Sequence, residues 1–369
     1  MQATKPRGVD GKHYEAIIIG AGLSGLAAAI RTAIAGKKVL LIERHNAPGG
    51  LNSFYSIAGR KYDVGLHALT NFAPKGAPGA PLTKILRQLR LRYEDLQLRE
   101  QLRSSIVFGA TRLDFSNDLA LLQDEVAREF SNSIDAFNRM IAALPAFDAV
   151  GPKERSLSAR AVLADYFWRD PLLVEMLLAP VMYYGSATEQ DLGSFVILFR
   201  SLFVEGLSRP LEGIRCVLRL LTEQYRDLGG EKIMHCGVQR FELSADRVGA
   251  VVLDSGERVS ADCIVSSAGY DETLALCTTH ALEPVQAQRI SFVETVHVLR
   301  CSPRELGWED TICFYNAGEH FDYRCPMDAV DIRSGVICIP NNYQYLPGES
   351  LPEGWLKITA LANYERWFA

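Results

Sequence analysis

Short apolar runs alternate with glycine turns at the start of the chain. Tyr14–Ile19 contains three consecutive isoleucines, which is typical of a strand buried on both faces of a parallel sheet. The small and apolar residues Leu26–Ile30 predict a helix that ends at Gly36. Lys38–Ile42 predicts a second buried strand. The pattern therefore indicates one strand–helix–strand unit of an α/β fold with a parallel sheet.

The turn in this unit carries a glycine motif, and an acid ends its second strand. Gly20 permits a tight turn, Gly22 leaves the backbone bare for a pyrophosphate, and Gly25 lets the helix pack closely against the strand. The N–H groups at the helix N-terminus favour phosphate oxygens. Glu43 offers a carboxylate to ribose hydroxyls and would repel a 2′-phosphate. The residues predicted to bind a dinucleotide here are Gly20, Gly22, Leu23, Ser24, Gly25 and Glu43.

The pattern in the middle of the chain predicts a helical region. Ala73–Pro81 is rich in proline and glycine and predicts a loop. Lys84–Arg103 predicts a helical stretch with an excess of basic residues, which leaves open either contact with an anionic membrane surface or an ordinary solvated helix face. Asp165–Leu207 is the most apolar long region, but charges such as Asp170 and Arg200 interrupt it and exclude a membrane-spanning helix. Most of its aromatic residues are expected in the core.

The pattern after residue 208 returns to strands. A helix that ends near Gly229-Gly230 leads into a predicted strand at Lys232–His235. Alternating residues on both sides of Asp254-Ser255-Gly256 predict a β-hairpin. Cys263–Ser266 predicts one more buried strand, followed by Ser267-Ala268-Gly269. The strands expected to form a second sheet are Val296–Leu299, Gly335–Ile339 and Leu356–Leu361.

Composition narrows the class of protein. With 369 residues, 48% of them hydrophobic, the chain can bury a substantial core, which argues against disorder. The net charge of −5 gives no basic excess for nucleic acid. All eight cysteines lie after residue 215 without a Cys-x-x-Cys pair, so we expect reduced thiols and no metal site. The polar N-terminus lacks a signal-peptide core, and we expect a cytoplasmic protein, with membrane association left open.

Residues after Glu43 carry a family resemblance. Arg44 follows the acid, Gly49-Gly50 forms a turn, and Tyr62–His67 combines an aromatic residue with Asp, Gly and His. Together with the N-terminal dinucleotide unit, these features resemble the flavin amine oxidase superfamily, and within it the phytoene desaturase, carotenoid isomerase and retinol saturase group. The resemblance implies FAD as the cofactor. The cofactor-binding residues that it adds are Arg44, Gly49, Gly50, Leu51, Gly65, His67, Val238 and Ala268.

The resemblance also implies roles for these residues. The glycine pair would touch the FAD phosphates, Gly65–Ala68 would lie near the isoalloxazine, and the backbone of Val238 would contact the adenine. Leu51 stands where many relatives have Arg or Lys, so backbone amides of Gly50 and Leu51 would serve instead of a guanidinium. His67 is the candidate catalytic residue, as a proton donor or an orienting group. A buried histidine bonded to backbone is the alternative.

The implied organisation is a Rossmann-like FAD-binding domain interrupted by an α+β substrate domain. The predicted segments are residues 1–72 and 209–270 for the FAD-binding domain, 73–208 for a helical region facing substrate or membrane, and 271–369 for the sheet of the substrate domain. Relatives continue into a C-terminal segment with a Gly-Asp motif. No Gly-Asp dipeptide occurs in this sequence, so we expect that segment of the FAD-binding domain to be absent.

The resemblance implies an FAD-dependent oxidoreductase that acts on an apolar polyene or isoprenoid substrate. In desaturation, hydride from an allylic carbon passes to the flavin and a proton leaves the neighbouring carbon, whereas a saturase runs the reverse. This fits a chain with no recognisable nucleophile or metal constellation, since the cofactor carries the chemistry. The alternatives are redox-neutral isomerisation of a polyene, non-catalytic prenyl-lipid binding of the Rab escort and dissociation-inhibitor type, and amine or porphyrinogen oxidation.

Overall fold

The computed structural model describes residues 7–64, 68–185, 189–244, 247–277 and 290–368. In chain order the strands are β1 His13–Ile19, β2 Val39–Ile42, β3 Phe54–Ile57, β4 Arg60–Asp63, β5 Leu98–Glu100, β6 Ser104–Phe108, β7 Thr111–Phe115, β8 Ser208–Pro210, β9 Glu231–Ile233, β10 Val238–Ser244, β11 Arg247–Leu253, β12 Arg258–Ser266, β13 Ile290–Leu299, β14 Ile312–Asn316, β15 Ser334–Cys338 and β16 Gly354–Asn363. The α-helices are α1 Leu23–Ile34, α2 Pro81–Leu89, α3 Leu119–Glu129, α4 Ile134–Ala143, α5 Pro152–Arg155, α6 Ala159–Tyr166, α7 Pro171–Gly185, α8 Leu192–Phe199, α9 Ile214–Asp227, α10 Tyr270–Cys277 and α11 Tyr364–Phe368.

The chain divides into two compact units, each built from three segments. The first unit comprises Met1–Leu66, Lys75–Leu98 and Pro210–Val285. The second unit comprises His67–Pro74, Arg99–Arg209 and Gln286–Ala369. The stretch Lys75–Leu98 therefore groups with the first unit, whereas the sequence-based boundaries placed it in the helical region.

The first unit is built on a sheet with the strand order β10-β11-β12-β1-β2-β9. Strand β1 pairs in parallel with both β2 and β12, and β2 pairs in parallel with β9. Ile17 and Ile18 are fully buried because α1 and α9 pack on one face of these strands and the β10–β11 hairpin packs on the other. The predicted strand–helix–strand unit and the Rossmann-like α/β fold are confirmed.

The second unit contains a sheet with the order β13-β16-β15-β14-β6-β7, antiparallel except for the parallel pair β14–β6. The three strands predicted for this sheet from the sequence after residue 270 are present as β13, β15 and β16. The hairpin β6–β7 corrects the prediction that residues 73–208 are helical. Its period-two pattern places Ile106, Phe108, Leu113 and Phe115 in the core, as a half-buried hairpin requires.

Two further predictions are wrong in detail. The helical stretch predicted at Lys84–Arg103 ends early, because Arg90 adopts the left-handed conformation with φ +56° and strand β5 follows. The strand predicted as buried at Cys263–Ser266 is the second half of β12, and Cys263 is exposed. The register explains this exposure, since β11 pairs with β12 only at Arg258 and Val259.

Helices α3, α4, α6, α7 and α8 and one face of this second sheet share a single hydrophobic core. As predicted from Asp165–Leu207, its aromatic residues lie mostly in or against this core, with Phe195, Phe199 and Phe203 at 1% exposure or less. Trp168 is an exception at 71% exposure. Across the described ranges, no helix combines the length and the apolar character that crossing a membrane requires.

Candidate functional site

The glycine loop joins the end of β1 to the start of α1. Gly20 has φ +94°, a conformation that glycine adopts without steric penalty. Gly22 is the N-cap of α1, and no side chain caps this helix end. A Cβ built on Gly22 would meet no atom within 4 Å. The loop thus presents bare backbone and the N-terminal N–H groups of a helix, which is the arrangement that favours a phosphate.

The other two glycines of the motif are enclosed rather than open. A Cβ on Gly25 would lie 1.9 Å from the carbonyl oxygen of Gly20, and both glycines would place a Cβ within 2.7 Å of the Ser267 hydroxyl. Close packing therefore leaves no room for a side chain at Gly20 or Gly25. At Gly22 the space that a side chain would fill is open. Ser267 was absent from the sequence-predicted residues, although the neighbouring Ala268 was among them.

Glu43 is buried, at 7% exposure, directly behind the loop. One carboxylate oxygen accepts the N–H of Ala21 at 2.7 Å, and the other accepts the N–H of His45 at 2.8 Å. A carboxylate has about four acceptor sites, so these bonds leave capacity for ribose hydroxyls. The sequence predicted where Glu43 lies, but the bond to Ala21 emerges only from the fold.

The Gly49-Gly50 turn lies against the glycine loop. Both residues have positive φ, +118° for Gly49 and +57° for Gly50. The N–H of Gly49 donates to the carbonyl of Ala21 at 2.8 Å, and a Cβ on Gly50 would lie 3.5 Å from the Cα of Gly22. Leu51 follows with 88% of its surface exposed. The structure thus brings two motifs together that are separated in sequence by a helix and a strand.

The end of β2 also meets the start of β10. The N–H of Cys236 donates to the carbonyl of Glu43 at 3.1 Å, and a Cβ on Gly237 would lie 3.3 Å from Cγ of Arg44. Asp254 accepts the N–H of Gly237 at 2.9 Å and is a further residue that sequence reasoning missed. Val238, the first residue of β10, therefore lies close to Glu43 and Arg44. This places it near the other residues predicted to bind the dinucleotide.

Two predicted residues, Gly65 and His67, lie outside the described residues. Ala68, next in the chain, is buried in the core of the second unit. Ala68 thus contributes to that core, while the predicted residues of the first unit that the structure describes lie around the glycine loop.

The second unit contains a cluster of aromatic side chains around Tyr183. Its ring centroid lies 5.1 Å from that of Phe321, 5.9 Å from Tyr323 and 6.5 Å from Phe292. Burial raises the pKa of the Tyr183 hydroxyl, so this group stays neutral at physiological pH. Phe292 is 42% exposed and extends the cluster to the surface of the unit. The cluster therefore belongs to the apolar core of the unit and reaches its surface at Phe292.

Among the side chains that the structure describes, no group of three or more His, Cys, Asp or Glu residues is arranged to hold an ion. All eight cysteines carry free thiols.

The parallel strands, the bare loop and the acid at the end of β2 define a Rossmann-like α/β unit. Residues 18–89 match the NAD(P)-binding Rossmann-like domain family. These residues include the glycine loop, Glu43 and the Gly49-Gly50 turn. A dinucleotide or flavin cofactor is therefore supported.

The chain is similar in sequence to proteins named for phytoene and prolycopene. It is 25% identical over 288 residues to the phytoene dehydrogenase of Streptomyces griseus, covering 70% of this chain and 54% of that protein. It is 42% identical over 65 residues to the chloroplastic prolycopene isomerase of Daucus carota, covering 18% of this chain and 11% of that protein. The chain thus spans about half, or less, of the length of these relatives. The resemblance to this group is confirmed.

Solved structures show the same fold. An oxidoreductase from Methanosarcina mazei superposes with a TM-score of 0.67 at 16% identity, covering 94% of this chain and 78% of that one. A Rab GDI from Plasmodium falciparum superposes with a TM-score of 0.59 at 12% identity, covering 95% and 83%. The architecture is therefore one that oxidoreductases and a Rab GDI share.

Proposed function

We propose that this protein binds FAD at the glycine loop and acts as an FAD-dependent oxidoreductase on an apolar polyene or isoprenoid substrate. The observation that carries the proposal is the contrast within the loop: Gly22 faces open space, while Gly20 and Gly25 are packed tightly. The buried Glu43 behind the loop adds the acceptor for a ribose. A glycine turn with no ligand has no need of this combination.

The residues present fit an ADP moiety. The N–H groups of Leu23 and Ser24, at the uncapped start of α1, would hold the pyrophosphate, and the Gly49-Gly50 turn beside them would add backbone donors. Glu43 would hold the ribose, with Arg44 and Val238 toward the adenine. FAD, when bound, supplies an acceptor or donor for a hydride.

The substrate proposal rests on the second unit and on the relatives. The aromatic cluster around Tyr183 consists of tilted and edge-on rings and ends at the exposed Phe292, where an apolar chain can pack. The homologous proteins are named for phytoene and prolycopene. His67 remains the proposed catalytic residue. Full turnover of a His67→Ala variant would exclude that role.

The first experiment is a flavin titration of the purified chain, monitored by absorbance and fluorescence. The proposal requires that FAD binds and that Gly22→Val abolishes binding without unfolding the protein. A chain that binds prenylated lipid but no flavin would instead be a lipid-binding protein with the fold of the Rab GDI.

Redox-neutral isomerisation is the second candidate function. The similarity to the prolycopene isomerase, concentrated in 65 residues, favours it. Product mass separates the two reactions, since desaturation removes two hydrogens and isomerisation leaves the mass unchanged. The assay uses reduced and oxidised FAD in parallel with a polyene substrate.

We also propose a cytoplasmic protein that contacts membrane surfaces through α2. On this helix Lys84 and Arg87 are exposed beside Ile85, which is 52% exposed. Basic and apolar side chains on one exposed face favour anionic lipid. Co-sedimentation with phosphatidylserine vesicles that disappears in Lys84→Glu/Arg87→Glu is expected, and equal sedimentation of both proteins would reject this contact.

A further inference from the structure

Ser267 contacts the glycine loop from a distant part of the sequence. It follows β12, which pairs in parallel with β1, so the ends of both strands meet at one edge of the sheet. A Cβ on Gly20 would lie 2.6 Å from the Ser267 hydroxyl oxygen, and a Cβ on Gly25 would lie 2.7 Å from it. One small side chain therefore occupies the space that two larger residues of the loop would need.

The hydroxyl also binds the loop backbone. The Ser267 N–H donates to the carbonyl of Ile19 at 2.8 Å. The Ser267 Oγ lies 3.0 Å from the same carbonyl oxygen and 3.2 Å from that of Gly20. A hydroxyl has a single proton to donate, so it is shared between these two acceptors or held by one of them. Either way it fixes the peptide at which the strand turns into the loop.

These contacts give the loop two different sides. The side facing Ser267 is filled and hydrogen-bonded, and the side at Gly22 is open. We propose that Ser267 is a positioning residue: it sets the path of Gly20–Gly25 so that the helix N-terminus is held ready for a pyrophosphate. This inference rests on the proposed dinucleotide binding. Binding to a prearranged loop avoids the entropy of ordering it, which raises affinity.

The test measures ADP and FAD affinity of the purified chain by calorimetry. Ser267→Val, whose extra methyl has no space, should weaken ADP binding more than tenfold, and Ser267→Ala about threefold to tenfold (on the order of 1 kcal/mol). Ser260→Ala is the matched control, because Ser260 lies on β12, the strand that precedes Ser267, but its hydroxyl contacts the exposed His13. It should bind ADP like the unmodified chain.

Two readouts separate positioning from mere packing. In the absence of ligand, hydrogen exchange at Ala21–Gly25 should be faster in Ser267→Ala than in the unmodified chain and unchanged in Ser260→Ala. Gly20→Ala should weaken ADP binding less in a Ser267→Gly background than on its own, because the close contact is then relieved. If Ser267→Val does not fold, the ADP affinity of Ser267→Ala tests the positioning role by itself.

Unchanged ADP affinity in Ser267→Ala and Ser267→Val, with normal binding by the unmodified chain, would overturn the positioning role alone. Absence of ADP and FAD binding by the unmodified chain would overturn the proposed function and, with it, this role.

Discussion

The carboxylate of Glu43 accepts the backbone N–H of Ala21 at 2.7 Å, which ties the end of β2 to the loop before α1. The same carboxylate accepts the N–H of His45 at 2.8 Å. A side chain predicted as a ribose ligand therefore also supports the loop that would hold the phosphates. Loss of Glu43 is expected to affect both ligand binding and stability.

Glu43→Ala should lower ADP affinity by roughly 10- to 100-fold, which is the typical contribution of a hydrogen bond to a charged group. It should also destabilise the fold by about 2–4 kcal/mol, because two backbone N–H groups lose their acceptor. Calorimetry and urea unfolding measure the two effects. Glu223→Ala, on the exposed face of α9, is the control and should change neither. Equal ADP affinity in Glu43→Ala would contradict the ribose role.

Gly22→Ala and Gly25→Ala should behave oppositely. Gly22 has φ −67° and open space around a Cβ, so the alanine variant should fold with a loss of no more than about 1 kcal/mol yet bind ADP at least about tenfold more weakly. In Gly25→Ala the Cβ would lie 1.9 Å from the Gly20 carbonyl, which should destabilise the fold by about 3 kcal/mol or more. Thermal unfolding and ADP titration compare them. A stable Gly25→Ala variant would refute the packing argument.

Glu257 should make the first unit sensitive to acid. Burial raises its pKa, but hydrogen bonds from Ser255 and from the N–H groups of Arg7 and Val9 outweigh this and lower the pKa from 4.5 to about 2. A carboxyl whose pKa is lower in the folded state stabilises the fold above its unfolded pKa. That contribution should be lost as the pH falls from about 4.5 to about 2.

Urea unfolding of the chain and of Glu257→Gln across this range measures the effect. The variant should show a smaller decrease in stability on acidification. Glu242→Gln, an exposed glutamate on β10 paired with Arg258, is the matched control. Parallel pH profiles for Glu257→Gln and the unmodified chain would rule the contribution out.

Glu175 should be critical for the second unit. It lies at 9% exposure in the otherwise apolar helix α7, where its carboxylate pairs with Arg160 and His320 and accepts the N–H of Phe321 at 3.1 Å. Glu175→Ala leaves the buried N–H of Phe321 and the half-buried guanidinium of Arg160 without this acceptor and should destabilise this unit by about 3–5 kcal/mol. The exchange rate of the Phe321 amide, measured in the same variant, should rise. Glu129→Ala, on the exposed end of α3, should have little effect on either measurement.

Much of the first unit was predictable from local pattern. The isoleucine run, the glycine loop and the acid at Glu43 lie within one short stretch, and each restricts its own neighbourhood. Strand order β1-β2 and the helix between them follow, because a parallel pair needs a crossover connection. The hairpin around Asp254–Gly256 was predictable for the same reason, as its turn residues lie between two alternating strands.

The second unit was predicted less well. Strands β6 and β7 are short, and their alternation of buried and exposed positions was missed because helices dominate the surrounding region. The prediction of a longer helix at Lys84–Arg103 failed because its residues favour helices on average, whereas Arg90 and Gln97 adopt left-handed conformations in the folded chain. Helix propensity is a weak preference that tertiary context overrides.

The amino-acid order alone establishes the chemical character of the candidate site: bare glycines, a helix start and one carboxylate, all close in sequence. The fold decides which atoms enclose it. Ser267 reaches Gly20 and Gly25 only because β1 and β12 pair in parallel and end at one edge of the sheet, and Gly237 lies beside Arg44 only because β9 pairs in parallel with β2. Such contacts join residues that are distant in the sequence, and no local periodicity encodes them.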